Sequence, residues 1–167
     1  MPGPDASATA APHVARVRPD DLAAVGALLD GAREEIAVAR RGELMLRDGS
    51  GPPGDRELAE LASDARGRVL VAWLAGVAVG VGAVRADGPA RGVARVVALY
   101  VEPASRGSGA AEALLDAIVA WCAESGCRGL DASALPGDRE TKSLFERAGF
   151  TARLLVMHRA TGNGASA

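Results

Sequence analysis

A glycine-rich turn between two differently patterned runs is the feature that most constrains how this chain can fold. Before the turn, VARVVALYVE (residues 93–102) has the apolar, β-branched character of a strand. From the turn onward, SRGSGAAEALLDAIVAWCAE (residues 105–124) changes to helical spacing, and GLDASAL (residues 129–135) is predicted as another strand. A strand, a helix and a strand in this order normally join parallel strands, so part of the sheet is expected to be parallel.

The strands upstream of the turn are predicted to be antiparallel. RVLVAWL (residues 68–74) and VAVGVGAVRA (residues 77–86) flank the turn Ala75-Gly76 and predict a hairpin, to which residues 93–102 add a third strand. A short strand over HVARVR (residues 13–18) precedes them. The sequence therefore predicts an α/β (α+β) fold with a mixed, mainly antiparallel central sheet flanked by helices.

Three further helices and a last strand complete this prediction. Helices are expected over residues 19–39, 56–62 and 140–148, with Gly149 as the C-terminal cap of the third. TARLLVMHR (residues 151–159) is expected to be the final strand. The apolar stripe of the first helix consists of Leu22, Val25, Leu29, Ala32 and Ile36.

Length and composition indicate a single domain. The chain has 167 residues, of which 49% are apolar and 24% charged, a globular balance. We expect one domain over residues 13–159, with small-residue tails at residues 1–12 and 160–167 that are disordered. The longest uncharged run, residues 69–84, falls short of the roughly 18 residues of a membrane span.

Charge and thiol content exclude several classes of partner and cofactor. The formal charge is −2, so the chain lacks the basic field of a nucleic-acid binder, and no membrane partner is predicted either. Its two cysteines, Cys122 and Cys127, and two distant histidines support neither a disulfide framework nor a metal site. Free thiols and the absence of an export-like N-terminal segment favour a cytoplasmic location.

The glycine-rich turn itself can bind a phosphate. It places glycines at the positive end of a new helix, where unpaired backbone N–H groups collect, and Arg106 adds a charge that can pair with a pyrophosphate. A tight connection whose glycines serve only packing is the alternative. The chain's single lysine, Lys142, is elsewhere, which excludes a Walker A loop. A dinucleotide fingerprint over residues 107–112 would need a small residue where Glu112 stands, so a Rossmann domain is a weak second choice.

The order of these motifs resembles the GNAT superfamily of acyl-CoA-dependent N-acyltransferases. The family signature, Arg/Gln-x-x-Gly-x-Gly/Ala after a strand and at the head of a helix, is matched by Arg106, Gly109 and Ala111. LFERAGF (residues 144–150) is similar to the family's later helix that ends in Gly-Phe. The resemblance covers about residues 15–159 and implies acetyl-CoA as cosubstrate, with no metal.

The resemblance also implies which residues bind coenzyme A. The loop backbone would bind the pyrophosphate, the splayed strand before it would follow the pantetheine and direct an N–H group at the thioester carbonyl, and Phe145 would pack near the sulfur. The implied set is Leu99, Tyr100, Val101, Arg106, Gly107, Ser108, Gly109, Ala110, Ala111 and Phe145.

Three positions depart from the family pattern. Phe145 stands where many members have a tyrosine that can protonate the leaving thiolate, and a phenyl ring has no proton to donate. Asp138 replaces the common Asn before that helix; it can cap the helix but could repel a phosphate. Only about ten residues follow Phe150 before the tail, so the usual closing hairpin is reduced to one strand and the acceptor groove is expected to be open.

A base is needed to take a proton from the acceptor, and Glu102, at the end of the strand beside the presumed thioester, is the leading candidate. An acidic residue beside a proline turn is more often merely solvated. Weaker candidates are Glu43, Asp131, Ser133 and His158. Arg95 lies where some relatives carry a catalytic Glu, which excludes that form of the mechanism.

Two functions from different classes follow from the resemblance. The first is an N-acetyltransferase in which a primary amine, on a small molecule or a protein, attacks acetyl-CoA directly in a ternary complex. The second is a non-catalytic acyl-CoA-binding sensor or interaction module of the same fold. A Ser-Asp-His hydrolase, with Ser108, Asp131 and His158, lacks the Gly-x-Ser-x-Gly elbow. The acceptor is not readable from the sequence, and a homodimer is left open.

Overall fold

A computed structural model describes residues 11–47, 49–86 and 92–157. Five strands and five α-helices form in these ranges, with short 3₁₀ turns at Pro19–Asp21 and Pro103–Ser105. The strands are β1 (His13–Arg16), β2 (Gly67–Leu74), β3 (Val77–Ala86), β4 (Val93–Val101) and β5 (Gly129–Asp131). The helices are α1 (Leu22–Val38), α2 (Gly42–Arg47), α3 (Asp55–Ser63), α4 (Ala110–Glu124) and α5 (Arg139–Arg147).

The strands form one sheet in the order β1-β2-β3-β4-β5. Neighbours from β1 to β4 are antiparallel, because tight turns or loops connect most of them, whereas β4 and β5 are parallel and are joined through α4. The predicted mixed, mainly antiparallel sheet flanked by helices is confirmed.

Each face of the sheet buries its own apolar cluster. On one face Leu29 of α1 and Leu61 of α3 are fully buried against Val71 and Val81. On the other face the fully buried Leu114 and Ile118 of α4 pack on the alternate residues of the same strands. Since successive side chains of a strand point to opposite faces, the uninterrupted apolar runs of β2 and β3 follow from this double coverage.

Two predicted strands are wrong in extent. The strand expected over residues 129–135 ends at Asp131, because β4 no longer pairs with it beyond Arg95. The final strand expected over residues 151–159 is absent from residues 151–157, and residues 158 and 159 lie outside the described ranges. Residues 154–157 are 74–85% exposed, so they have neither a ladder partner nor an apolar surface to bury against.

The helices agree with the predictions to within about one residue at most ends, but α2 was not predicted. Its six residues are too few to show a helical period. The tails predicted at residues 1–12 and 160–167 lie outside the described residues, except for residues 11 and 12. Over the described part of the chain, no helix combines the length and apolar character that crossing a membrane would require.

Candidate active site

A cleft opens where β4 and β5 separate. Their parallel ladder has three pairs and ends at Arg95 opposite Asp131. Two residues later β4 carries a bulge, because Ala83 of β3 pairs with Ala98 while Val84 pairs with Val96, which leaves Val97 as the extra residue. From there to Val101, β4 borders a cleft of about 630 Å³. The strand that the resemblance implied would splay therefore does so.

The glycine-rich turn forms one end of this cleft. Gly107 has φ +80° and Gly109, the N-cap residue of α4, has φ +85°; residues other than glycine rarely adopt this left-handed conformation. The first bond of α4 runs from the Ala113 N–H to the Gly109 carbonyl (3.0 Å), and within the turn the Ala110 N–H donates to Ser108 Oγ (3.4 Å). Gly107, Gly109, Ala110 and Ala111 all line the cleft. Backbone donors and the helix dipole make this end suited to an anion.

The side chain of Arg106 does not lie free at this end. Its Nη2 donates to both carboxylate oxygens of Glu35 (2.8 and 2.6 Å), and its Nε donates to the Val101 carbonyl (3.1 Å). The hydrogen bond to Glu35 raises the pKa of the Arg106 guanidinium. The guanidinium also stacks over the Tyr100 ring, 5.8 Å from its centroid. The loop is thereby tied to α1 across the cleft.

Tyr100 projects from β4 toward α1. Its hydroxyl donates to Glu35 Oε1 (3.3 Å), and burial, followed by the negative charge of Glu35, raises the pKa of the phenol. The hydroxyl is therefore protonated at neutral pH. Leu99 and Val101 alternate with Tyr100 and belong to the cluster under α4. All three residues line the cleft, and their role in binding coenzyme A stays a prediction.

Glu102 lies just outside the cleft lining. Its carboxylate accepts a hydrogen bond from Ser105 Oγ (2.8 Å), and its N–H donates to the Val79 carbonyl (2.9 Å), which fixes the end of β4. Asp138 accepts from the Thr141 N–H (3.0 Å) as the N-cap of α5, the capping role that the sequence allowed. The role of Glu102 as a base stays a prediction.

Phe145 closes the opposite side of the cleft. It is 8% exposed, and its ring centroid lies 5.2 Å from that of Phe150. Leu144 lines the cleft beside it. Gly149 continues past α5 with φ +87°, which turns the chain so that Phe150 returns to Phe145. The Gly-Phe end of this helix therefore serves to hold Phe145 in the cleft wall.

The remaining candidates for the base do not lie together. Ser133 lines the cleft, whereas Asp131 pairs with Arg153 (3.1 Å) and Glu43 lies on α2 outside the lining residues. His158 lies outside the described residues, so no triad with Ser108 and Asp131 is assembled in the described part of the chain. Cys122 is buried, and burial raises the pKa of its thiol to about 12.

Glu35 is the cleft residue that the sequence analysis missed. The sequence analysis assigns it no role, although it contacts both Tyr100 and Arg106. A local signal did exist, because Glu35 follows Ala32 by three residues and precedes Ile36 by one, so it borders the apolar stripe of α1. Its partners, 65 and 71 residues away, could not be inferred.

Comparison with known proteins agrees with this geometry. Residues 35–150 match the family described as Acetyltransferase (GNAT) family. A ribosomal-protein-alanine N-acetyltransferase from Brucella melitensis biovar Abortus 2308 is 21% identical and has a TM-score of 0.63, with 90% of this chain and 100% of that one covered. Aminoglycoside acetyltransferase AAC(6')-Iy, in complex with a bisubstrate analogue of coenzyme A, is 17% identical, with coverage of 92% and 100% and a TM-score of 0.63.

A third structure with this fold is described as a transcriptional regulator from Bacillus halodurans C-125. It is 18% identical, covers 89% of this chain and 99% of its own, and has a TM-score of 0.64. No curated protein matches the sequence significantly.

The sheet, its cleft and the family match together define the class: the chain belongs to the GNAT acetyltransferase family. It is an acyltransferase whose acceptor is unknown.

Proposed function

We propose that this protein transfers the acetyl group of acetyl-CoA to a primary amine, with both substrates bound at once. The observation that carries the proposal is that the split between β4 and β5 and the glycine-rich N-terminus of α4 border one cleft. An extended cosubstrate with a pyrophosphate at one end and a thioester further along fits a cleft with this order of groups. The amine would enter from the side of α1 and α2.

Backbone groups would make most of the contacts with the cosubstrate. The N–H groups of residues 106–111 would bind the pyrophosphate, and those of residues 99–101 would follow the pantetheine. One donor directed at the thioester oxygen would stabilise the developing oxyanion, an effect of about 3 to 4 kcal/mol on the barrier. Phe145 would pack near the sulfur, and the thiolate, with a free thiol pKa of ~8.5, can take its proton from water.

The state of the cysteines supports direct attack. An acyl-enzyme formed on cysteine would need a thiolate, and burial raises the pKa of the Cys122 thiol to about 12, far above neutral pH. Cys122 lies in the apolar cluster under α4 rather than in the cleft lining. Cys127 is likewise outside that lining. The proton of the amine would pass to Glu102 or, through water, to another group of the cleft.

We further propose that residues 13–159 act as one catalytic domain in a reducing cytoplasm, which suits the two free thiols. The acceptor would be a small-molecule amine, as for the aminoglycoside acetyltransferase, or a protein amine, as for the ribosomal-protein-alanine acetyltransferase. A homodimer stays a prediction.

Initial-rate kinetics with a panel of amines test the proposal. Release of coenzyme A is measured while acetyl-CoA and the amine are varied together. Double-reciprocal lines that intersect support a ternary complex, whereas parallel lines would indicate a covalent intermediate and contradict direct attack. The Glu102→Gln variant should keep its acetyl-CoA affinity and lose the acid limb of kcat/KM; an unchanged profile with the same acceptor would exclude Glu102 as the base.

A second function, an acyl-CoA-binding sensor without turnover, is favoured by one observation. Phe145 leaves the cleft wall without a hydroxyl at the position where many family members have one. The fold is also shared with a protein described as a transcriptional regulator. Tight binding of acetyl-CoA in calorimetry, with no coenzyme A released for any amine of the panel, would support this function instead.

A further inference from the structure

We propose that Glu35 binds the protonated amino group of the acceptor, and that the acceptor is therefore a basic amine that enters as a cation. This inference rests on the proposed acetyl transfer and assigns one residue to its acceptor side. Glu35 lies in the last turns of α1, on the wall of the cleft that faces β4, and its side chain is 42% exposed. It is thus accessible from the cleft.

Glu35 differs from the other carboxylates that line the described cleft. The other three lie on α4 or at the start of α5. Glu112 pairs with Arg147 (3.2 Å), Asp138 caps α5, and Glu140 lies in the first turn of α5. Glu35 comes from the opposite wall and contacts a residue of the split strand. It is therefore the carboxylate best placed to hold an amine against β4.

Packing fixes the position of Glu35 relative to β4. Gly31, one turn earlier on α1, lies so close to Tyr100 that a Cβ there would meet the tyrosine Oη at 3.0 Å. This approach of the ring to α1 brings its hydroxyl to Glu35 Oε1 (3.3 Å). Tyr100 is the single tyrosine of the chain, and its raised pKa keeps the hydroxyl a donor to the carboxylate. The carboxylate is therefore held toward the stretch of β4 where the thioester would lie.

Glu35 can exchange its ion pair with Arg106 for one with a substrate cation at little cost in free energy. Both side chains are about two-fifths exposed, and ion pairs that are this exposed contribute little to stability. Arg106 belongs to the loop that would bind the pyrophosphate, so the bound cosubstrate offers its guanidinium another anion. Glu35 would then take the ammonium group in its place. Glu35 and Arg106 would therefore each have a partner of opposite charge both before and after the substrates bind.

The chemistry balances with Glu35 in this role. The ammonium held by Glu35 first gives one proton to Glu102 or to water. The free amine then forms a bond to the thioester carbonyl carbon, and the C–S bond breaks with its electron pair on sulfur. The second proton of the nitrogen ends on the thiolate, directly or through water. Amide, coenzyme A and one solvent proton are the products.

The test compares Glu35→Gln with Glu34→Gln in the intact chain. Both changes remove one negative charge from adjacent positions of α1, but Glu34 is exposed and borders a separate depression beside Arg33 and Leu46. Each variant is assayed with an alkylamine, which is cationic at pH 7.5, and with a weakly basic arylamine, which is neutral there. Calorimetry with coenzyme A and thermal unfolding check the cosubstrate site and the fold.

Glu35→Gln should lower kcat/KM for the alkylamine at least tenfold, mainly by raising KM. It should change kcat/KM for the arylamine less than threefold, because only the cationic amine needs the negative charge of Glu35. Glu34→Gln should match the wild type with both amines. Equal losses with both amines, or none, in a folded variant would overturn the inference. If the wild-type protein acetylates no amine at all, the proposed function itself fails, and the assignment of Glu35 with it.

Discussion

The two walls of the cleft are built by different means. The wall formed by the end of β4, the glycine-rich turn and the start of α4 offers backbone groups, and its shape depends on glycines at positive φ. The wall formed by α1 and α2 offers side chains, and Glu35 is held there by Arg106 and Tyr100. We refer to them as the backbone wall and the side-chain wall.

This difference indicates which wall tolerates amino-acid substitutions without losing its binding groups. A backbone wall keeps its donors when most side chains change, so it suits a ligand part common to a whole family, such as the phosphates of a cosubstrate. A side-chain wall changes its chemistry with single substitutions, so it suits the part that differs from one enzyme to another, the acceptor. Two substitutions test this division, and a third, at Phe145 on α5, tests the proton donor.

The largest effect is expected at the backbone wall, from Gly109→Val. A Cβ there meets only Pro12, at 4.0 Å, so the fold should survive, but the left-handed conformation at φ +85° costs a branched residue about 1 to 2 kcal/mol and the loop should shift. We expect acetyl-CoA to bind at least tenfold more weakly in calorimetry, which corresponds to about 1.4 kcal/mol.

Gly126→Val is the matched control for this change. Gly126 follows the other end of α4, about 25 Å away along the helix, has φ +74° and has no atom within 4 Å of its would-be Cβ. Both variants should lose similar stability in denaturant unfolding, and only Gly109→Val should lose affinity. Equal affinity of the two would contradict the assignment of the turn as the pyrophosphate site.

A smaller effect is expected at the side-chain wall, from Gly42→Ala. A Cβ at Gly42 would lie 1.6 Å from the Ile36 carbonyl oxygen, so the corner between α1 and α2 must move. We expect the free energy of unfolding to fall by about 1 to 3 kcal/mol, as for other overpacked sites. The acceptor KM should rise about fivefold, an order-of-magnitude expectation from a loss near 1 kcal/mol, with acetyl-CoA affinity unchanged.

Gly54→Ala serves as the control here, because Gly54 precedes α3 with open space around its would-be Cβ. This variant should have the acceptor KM and the acetyl-CoA affinity of the wild type. A Gly42→Ala protein that loses acetyl-CoA affinity as strongly as acceptor affinity would show that the two walls are not separable.

The smallest effect is expected from Phe145→Tyr. The ring faces the cleft beside Leu144, so the added hydroxyl has access to the space where the sulfur would lie and restores a proton donor. Turnover should stay the same or rise by less than about threefold, because water can already protonate the thiolate. Phe150→Tyr, at the partner ring, is the control and should not raise turnover. Unfolding of Phe145→Tyr would mean that this side chain is ordinary core.

The backbone wall was predictable from sequence because all its parts are local. Strand, glycines and helix start lie within about a dozen residues, and the family signature at Arg106, Gly109 and Ala111 marks them. The hairpin β2–β3 was predictable for the same reason, since Ala75 and Gly76 punctuate two apolar runs.

The side-chain wall was not predictable, because its contacts join distant parts of the chain. Glu35 and Tyr100 meet only once α1 has packed on the sheet, and the guanidinium of Arg106 turned out to bind Glu35 and the Val101 carbonyl. The expected final strand failed for a related reason. Residues 151–157 have β-type composition, but a strand also needs a neighbour, and the pairing that would supply one ends at Asp131.

The separation of β4 and β5 also leaves one side of β4 open to a ligand, and a ligand bound there would raise the heat stability of the protein. A continuous sheet would pair the backbone of residues 96–101 on both sides, whereas here one side is left to water or to a ligand. A ligand that pairs with these groups binds the folded chain and not the unfolded one, which by mass action adds about 2.7 kcal/mol at a concentration a hundred times its Kd. Under the proposed function, the melting temperature of this protein would therefore depend on the acetyl-CoA concentration as well as on the chain itself.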